Sequence, residues 1–181
     1  MKKLLYEEIL KQRHDEQSVK SAVRSNFSVI LDNIRSLHNV GSIFRTSDAA
    51  MVEKLLLCGF TPHPPRKELD KTALGATSTV PWEYFQTTEE AIEYEKKQGK
   101  KIIALELTDE KRNYTDLKSS DFPASFVLGN ELSGISNDAL ALCDSSLEIP
   151  MLGLKHSLNV SVAAGIIVFE ALRVSAGKED L

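Results

Sequence analysis

Two polar stretches hold most of the residues in this sequence that could grip and orient a small ligand. The first, Gly129-Asn130-Glu131-Leu132-Ser133-Gly134, is bracketed by glycines and follows the apolar run 125–128. The second, residues 149–159, combines Pro150, Gly153, Lys155, His156, Ser157 and Asn159 ahead of a long apolar segment. Turns rich in Gly, Asn and Ser at the carboxyl ends of strands are where an open α/β sheet binds its ligand, so the site is expected late in the chain. An earlier polar stretch, residues 32–50, carries Asn39 and Arg45. Each of these residues also has an ordinary reading: Asn39 or Ser157 as a helix cap, Gly129 or Gly153 as a turn former, Arg45 as an exposed arginine, Glu131 as a turn acid. His38 and His156 have no second metal ligand spaced to meet them and read as loop hydrogen-bonders, so no metal site is expected. Cys58 and Cys143 are far apart and lack a partner at ligand spacing; both read as small buried apolar residues. No glycine-rich dinucleotide fingerprint occurs, which disfavours an ordinary Rossmann cofactor site.

Strands and helices must alternate to bring these stretches to one place. Short apolar runs at 27–31, 54–59, 101–107, 125–128 and 147–149 read as strands of a covered parallel sheet. Residues 80–85 read as an edge strand, because Pro81 cannot donate to a ladder on both sides. Between them the sequence predicts a helix after the 32–39 loop, a short helix over 70–76 closed by Gly75, and a helix from Thr87 to about Gln98. Thr87 with Glu90 makes the capping box that opens that last one. A short helix capped by Ser136 follows, and residues 158–173 form a final helix apolar on most of its circumference. This pattern predicts an α/β fold with a mostly parallel sheet and helices on both faces.

Bulk composition fits one domain: 181 residues, 42% apolar and 27% charged. The longest apolar run, 162–169, falls far short of the roughly 20 residues that cross a bilayer. Acidic Glu7 and Glu8 interrupt the basic start Met1-Lys2-Lys3 before any signal segment develops, so a cytoplasmic protein without a membrane partner is expected. Residues 1–24 read as a helical extension of mixed charge; six bases, Arg24 among them, against four acids give this segment +2 within a chain of net charge -4. An acidic chain does not coat nucleic acid indiscriminately, so an RNA partner would require clustered bases.

Three ordered segments carry a resemblance: Asn39-x5-Arg45, then Leu128-Gly129-Asn130-Glu131-x2-Gly134, then Ile149-Pro150-Met151-x-Gly153-x3-Ser157-Leu158-Asn159-Val160-Ser161-Val162-Ala163. In order and spacing they resemble the three motifs of the SpoU (TrmH-type) RNA ribose 2′-O-methyltransferases of the SPOUT superfamily, over residues 28–173. The resemblance implies a deep C-terminal trefoil knot, an exception to the rule that chains do not thread. It also implies S-adenosylmethionine bound in the knot, and a homodimer packed around the knotted region through the final helix, with Ile167 placed in that interface.

By position in those motifs, the resemblance implies cofactor contacts from Leu105, Leu128, Gly129, Ile149, Met151 and Leu158. Arg45 matches the family's catalytic arginine. A guanidinium stays protonated, so it is read as a phosphate clamp that orients the ribose. Asn39 would hold Arg45 or the substrate, Glu131 and Ser157 would organise the polar pocket, and Asn159 would fix the loop and face the acceptor. Arg24, Lys71 and Lys155 are candidate RNA contacts. The implied substrate is tRNA or rRNA, with tRNA preferred because only a short basic extension precedes the catalytic region. The expected division is residues 1–25 as an N-terminal helical extension, 26–175 as the methyltransferase domain and 176–181 as a short tail. The competing reading is a catalytically silent RNA-binding or assembly protein that keeps the fold.

Overall fold

Six short strands pair side by side, all in parallel: β1 (Phe27–Asp32), β2 (Leu55–Cys58), β3 (Trp82–Phe85), β4 (Lys101–Leu105), β5 (Ala124–Leu128) and β6 (Ser145–Leu147). Their order is β3-β2-β1-β5-β4-β6, with β3 at an edge as Pro81 requires. The coordinates are a computed structural model describing residues 1–177 other than Gln12, Glu16 and Lys111. Residues 178–181 of the expected tail therefore lie outside the described residues.

Period-two alternation sorts each strand between two apolar layers. Val29, Leu31, Leu55, Leu57, Phe126 and Leu128 face one layer, while Ile30, Leu56, Ile102 and Val127 face the other. The helices that follow are α1 (Tyr6–Leu10), α2 (Ser18–Ser21), α3 (Leu37–Ala49), α4 (Lys67–Ala73), α5 (Ala76–Thr79), α6 (Thr88–Lys97), α7 (Asn137–Ala141) and α8 (Val160–Ser175). Residues of α3, α4, α5 and α8 join the first layer, and those of α6 and α7 the second. Within the first, Phe27 meets Phe126 edge-on at 5.9 Å between ring centroids. At the amino ends of the strands, buried Lys100 donates to Ser28 Oγ (2.6 Å) and pairs with Glu95 (2.9 Å) and Glu53 (2.8 Å).

Four expectations change. Residues 1–24 form two short helices rather than one, because the Asp15 carboxylate accepts the Gln17 and Ser18 N–H groups (3.0 and 2.7 Å) and restarts the chain there. The helix expected over 70–76 starts earlier and stops at Leu74, which takes the left-handed conformation (φ 50°), before α5 begins. Strand β6 lies two residues upstream of its expected place, since it can pair only where β4 offers Ile103 to Leu105. Finally, Ile167 is fully buried against its own sheet, so the final helix turns that residue inward and not toward a partner. The capping box at Thr87, by contrast, forms as read, with the Glu90 N–H donating to Thr87 Oγ1 at 3.2 Å.

Candidate functional site

A cleft of about 770 Å3 opens at the carboxyl ends of β4, β5 and β6. Three chain segments wall it: Leu105 to Leu107 after β4, Leu128 to Ile135 after β5, and the stretch from Leu147 through Met151 and His156 to Val160 after β6. Residues Leu105, Leu128, Gly129, Ile149, Met151 and Leu158 all line it, as do Glu131, Ser157 and Asn159. Nine of the predicted site residues, drawn from the stretch 105–159, thus converge on a single cavity.

The β5 turn closes on itself at a point where no side chain fits. Asn130 and Gly134 exchange backbone hydrogen bonds of 3.0 and 2.9 Å, and a Cβ on Gly129 would lie 2.2 Å from the Gly134 carbonyl carbon and from the Ile135 nitrogen. Gly134 itself has φ +70° and faces Glu106 Oε2. That carboxylate accepts the Ile135 N–H at 3.0 Å and, through its other oxygen, the Leu107 N–H at 2.9 Å. Glu106 so ties the wall after β4 to the wall after β5.

Glu131 reaches from this turn to the start of α3. Its carboxylate accepts the Arg35 N–H (3.0 Å), the Ser36 N–H (3.2 Å) and the Asn39 side-chain amide (2.8 Å). Burial alone would raise the Glu131 carboxyl, yet the Arg35, Asn39 and Ser36 hydrogen bonds outweigh it and hold the group below its ordinary range. On the other side Asn39 Oδ1 accepts from Asn159 Nδ2 at 3.1 Å, and Asn159 Oδ1 accepts the Ser161 N–H at 2.9 Å. Asn39, Glu131 and Asn159 form one hydrogen-bonded chain across the cleft rim. The helix caps are Ser36 for α3, whose hydroxyl accepts the Asn39 N–H, and Asn159 for α8, so neither Asn39 nor Ser157 fills the cap position open to it from sequence.

Other candidates stand apart. Arg45 is exposed in the second half of α3, is not a wall of the cleft, and has no side-chain hydrogen bond or ion pair among the described residues. Lys155 is exposed in the loop between β6 and α8, beside the lining residue His156, and Lys71 is exposed on α4. Arg24 is spent on structure: its guanidinium donates to the Val52 and Thr79 carbonyls (3.1 and 2.5 Å) at the amino ends of the strands, opposite the cleft. That placement sets Arg24 apart from the cleft. Cys58 is buried, with its thiol pushed up to about 12 by desolvation, and partly buried Cys143 is raised to about 11 for the same first reason. Among the described residues no group of three or more His, Cys, Asp or Glu is arranged to hold a metal ion, and no helix is long and apolar enough to cross a membrane.

The sequence assigns no individual role to Glu106, Asp32, Asn33 or Asn130, the last quoted only as part of its motif. Asp32, nearly fully buried, accepts from Thr88 Oγ1 (2.6 Å) and the Ser136 N–H (2.8 Å), and Asn130 Nδ2 donates to the Asn33 carbonyl at 2.6 Å. Their shared signal is a polar residue at, or within two positions of, the end of an apolar strand, where side chains must satisfy the backbone of neighbouring turns.

The model of the SpoU rRNA Methylase family matches residues 26–169. The chain is 35% identical over 150 residues to the tRNA (guanosine(18)-2′-O)-methyltransferase of Escherichia coli strain K12, covering 82% of this chain and 63% of that protein. To the enzyme of the same name from Thermus thermophilus it is 33% identical over 176 residues, covering 96% of this chain and 84% of the other. Among solved structures, the A. aeolicus TrmH/SpoU tRNA modifying enzyme superposes with a TM-score of 0.79 at 31% identity, covering 94% of this chain and 84% of that one. The AdoMet-bound rRNA methyltransferase from Sinorhizobium meliloti gives 0.77 at 28% identity, over 86% of this chain and 59% of that one. With its six-stranded parallel sheet, its cleft at the carboxyl ends of β4 to β6 and this family match over residues 26–169, the chain belongs to the SpoU rRNA methylase family.

Proposed function

We propose that this protein transfers a methyl group from S-adenosylmethionine to a ribose 2′-hydroxyl of RNA, with tRNA preferred over rRNA. The observation that carries the reading is the convergence of three polar loops on one cleft whose rim is the chain Asn39–Glu131–Asn159. The cleft's size is that of a drug-sized ligand site. Leu128 and Leu147 supply apolar wall, and Glu148, whose carboxylate has no side-chain partner among the described residues, lines the same cleft and suits a cationic ligand. When bound there, the methyl donor carries its own activation, so the protein's part is positioning.

Residues of this chain divide that positioning. Leu105, Leu128, Gly129, Ile149, Met151 and Leu158 hold the donor. Glu131, through Asn39, keeps the Asn159 amide at the rim in a fixed orientation toward an incoming ribose. Ser157 lines the same wall as a hydroxyl able to accept or donate to the substrate. Arg45, exposed and without an intramolecular partner among the described residues, serves as a clamp on an RNA phosphate. Residues 26–175 carry this activity, 1–25 are an appended segment and 176–181 a tail.

The same reading includes a trefoil knot formed by threading the segment that ends in α8, a cytoplasmic location beside the RNA substrate, and a homodimer. For the dimer, the support is an outward stripe on α8, with Val162 51% and Phe169 50% exposed. A crystal structure showing the segment that ends in α8 on the outside of an unthreaded sheet would remove the knot from the proposal.

Transfer of a labelled methyl group from S-adenosylmethionine into purified tRNA or rRNA tests the activity. Arg45→Ala is expected to lower transfer by about 10- to 100-fold, the worth of one charge-assisted hydrogen bond, while calorimetric affinity for the donor stays within twofold. Donor binding with no transfer to either RNA would make the protein a silent binder and overturn the proposal.

A further inference from the structure

The loop leaving β2 holds an aromatic ring in water at a point where the backbone is fixed on both sides. Phe60 is 61% exposed. Its N–H donates to Asn33 Oδ1 at 3.2 Å, and the next residue, buried Thr61, donates its hydroxyl to the Leu31 carbonyl (3.0 Å) and accepts the Ile34 N–H (3.0 Å). The residue before it must be glycine: Gly59 has φ +61°, and a Cβ there would lie 2.1 Å from Asn33 Oδ1. Beside it Tyr84, 46% exposed at the end of β3, donates its hydroxyl to the Gly59 carbonyl at 3.0 Å. His63 packs against the Tyr84 ring with centroids 4.9 Å apart and stacks on Trp82 at 6.0 Å. Nothing in the fold requires a phenyl ring to stand out from a loop so constrained, and apolar groups displayed this way mark contact surfaces.

Two further observations say what the contact is. Exposed Arg66, Lys67 and Lys71 follow the Phe60 loop in the chain without an ion pair among the described residues, interspersed with Glu68 and Asp70, of which Asp70 accepts the Thr77 hydroxyl at 2.8 Å. Residues 66–71 thus carry three bases against two acids in a chain of net charge -4. The loop is also continuous with the cleft wall: Asn33, which holds the Phe60 N–H, accepts at its carbonyl from Asn130, a cleft residue. Bases and exposed rings together fit a polyanion whose flat groups can stack.

We propose that Phe60 and Tyr84 form a stacking platform for an unpaired RNA base near the nucleotide whose ribose enters the cleft, with Arg66 and Lys67 on the adjoining phosphates. The inference rests on the methyl-transfer reading and adds a binding subsite to it. Aromatic side chains bind unpaired bases of any sequence because every base has a π-face, and a backbone already fixed loses little entropy on contact.

The test is methyl transfer into tRNA by the full chain carrying Phe60→Ala, Tyr84→Ala or Phe60→Trp, together with donor calorimetry and solution mass. Loss of one stacked base is expected to raise the KM for tRNA about 5- to 100-fold in each alanine variant, with donor affinity and solution mass unchanged. Phe60→Trp is expected to restore native KM. A KM within twofold of native in both alanine variants overturns the platform and leaves the methyl-transfer reading standing. A change of solution mass in Phe60→Ala overturns it in favour of a contact between copies, and loss of donor affinity in favour of a structural role. A native chain that binds donor but methylates no RNA defeats both readings together.

Discussion

At Glu131 one carboxylate satisfies three donors that would otherwise be orphaned at the start of α3. Its ordinary value of 4.5 is lowered in the fold, and Asp121 behaves alike: burial pushes it up, but the Lys118 N–H and the Arg112 guanidinium prevail. A carboxyl lowered on folding adds stability that is complete above its unfolded value and is lost as pH falls through its folded one. The melting temperature is therefore expected to hold level from pH 7 to about 5 and to fall below about pH 4. Glu131→Gln, which sets an amide N–H2 against these donors, is expected to cost about 1 kcal/mol at pH 7, or roughly 2 to 4 °C. That difference should shrink as pH falls through the folded value of Glu131, where the native group also becomes neutral; a gap that does not narrow on acidification in thermal melts would refute this account. Glu131 was singled out in the sequence by its place in a motif, but its partners Arg35 and Ser36 were not, because nothing local joins residues 95 or 96 apart.

Elements were legible where their signals are local. Thr87 and Glu90 specify the start of α6 within four residues, and Pro81 specifies the edge position of β3. Where a boundary depends on packing, the sequence reading slipped: α8 begins at Val160, so its cap is Asn159 rather than Ser157. Asn159 consequently has two roles, capping α8 through Ser161 and linking it to Asn39 on α3. Asn159→Ala is expected to cost about 1 kcal/mol, the usual worth of an N-cap, and to retain native helical circular dichroism. Methyl transfer is expected to fall more than tenfold, beyond what that loss of stability explains; a variant that fails to fold, or one with native turnover, would contradict the double role.

For the whole molecule, one face of α8 packs under the sheet and the other is the face that the proposed dimer would use. Ile167 lies in the apolar layer under the sheet, whereas Phe169 is half exposed on the opposite stripe. Ile167→Ala is expected to destabilise the chain by about 2 to 5 kcal/mol in denaturant titration, as truncations of fully buried aliphatic residues do. Phe169→Asp, by contrast, is expected to leave the melting temperature of the single chain within a few degrees while halving the mass observed by light scattering. An Ile167→Ala chain of native stability, or a Phe169→Asp protein of unchanged mass, would show that these faces are wrongly assigned.

The sequence by itself determined the α/β class, the strands, the family likeness and nine residues that meet in the cleft, because strand periodicity, capping and motif spacing are written in neighbouring positions. Only the tertiary structure decided the strand order, the inward turn of Ile167, the structural duty of Arg24 and the bridges through Glu106, Asp32 and Asn130. Each of those depends on which distant backbone donors and acceptors are left unpaired once the sheet has formed, and a buried polar group must find its partner wherever packing brings one.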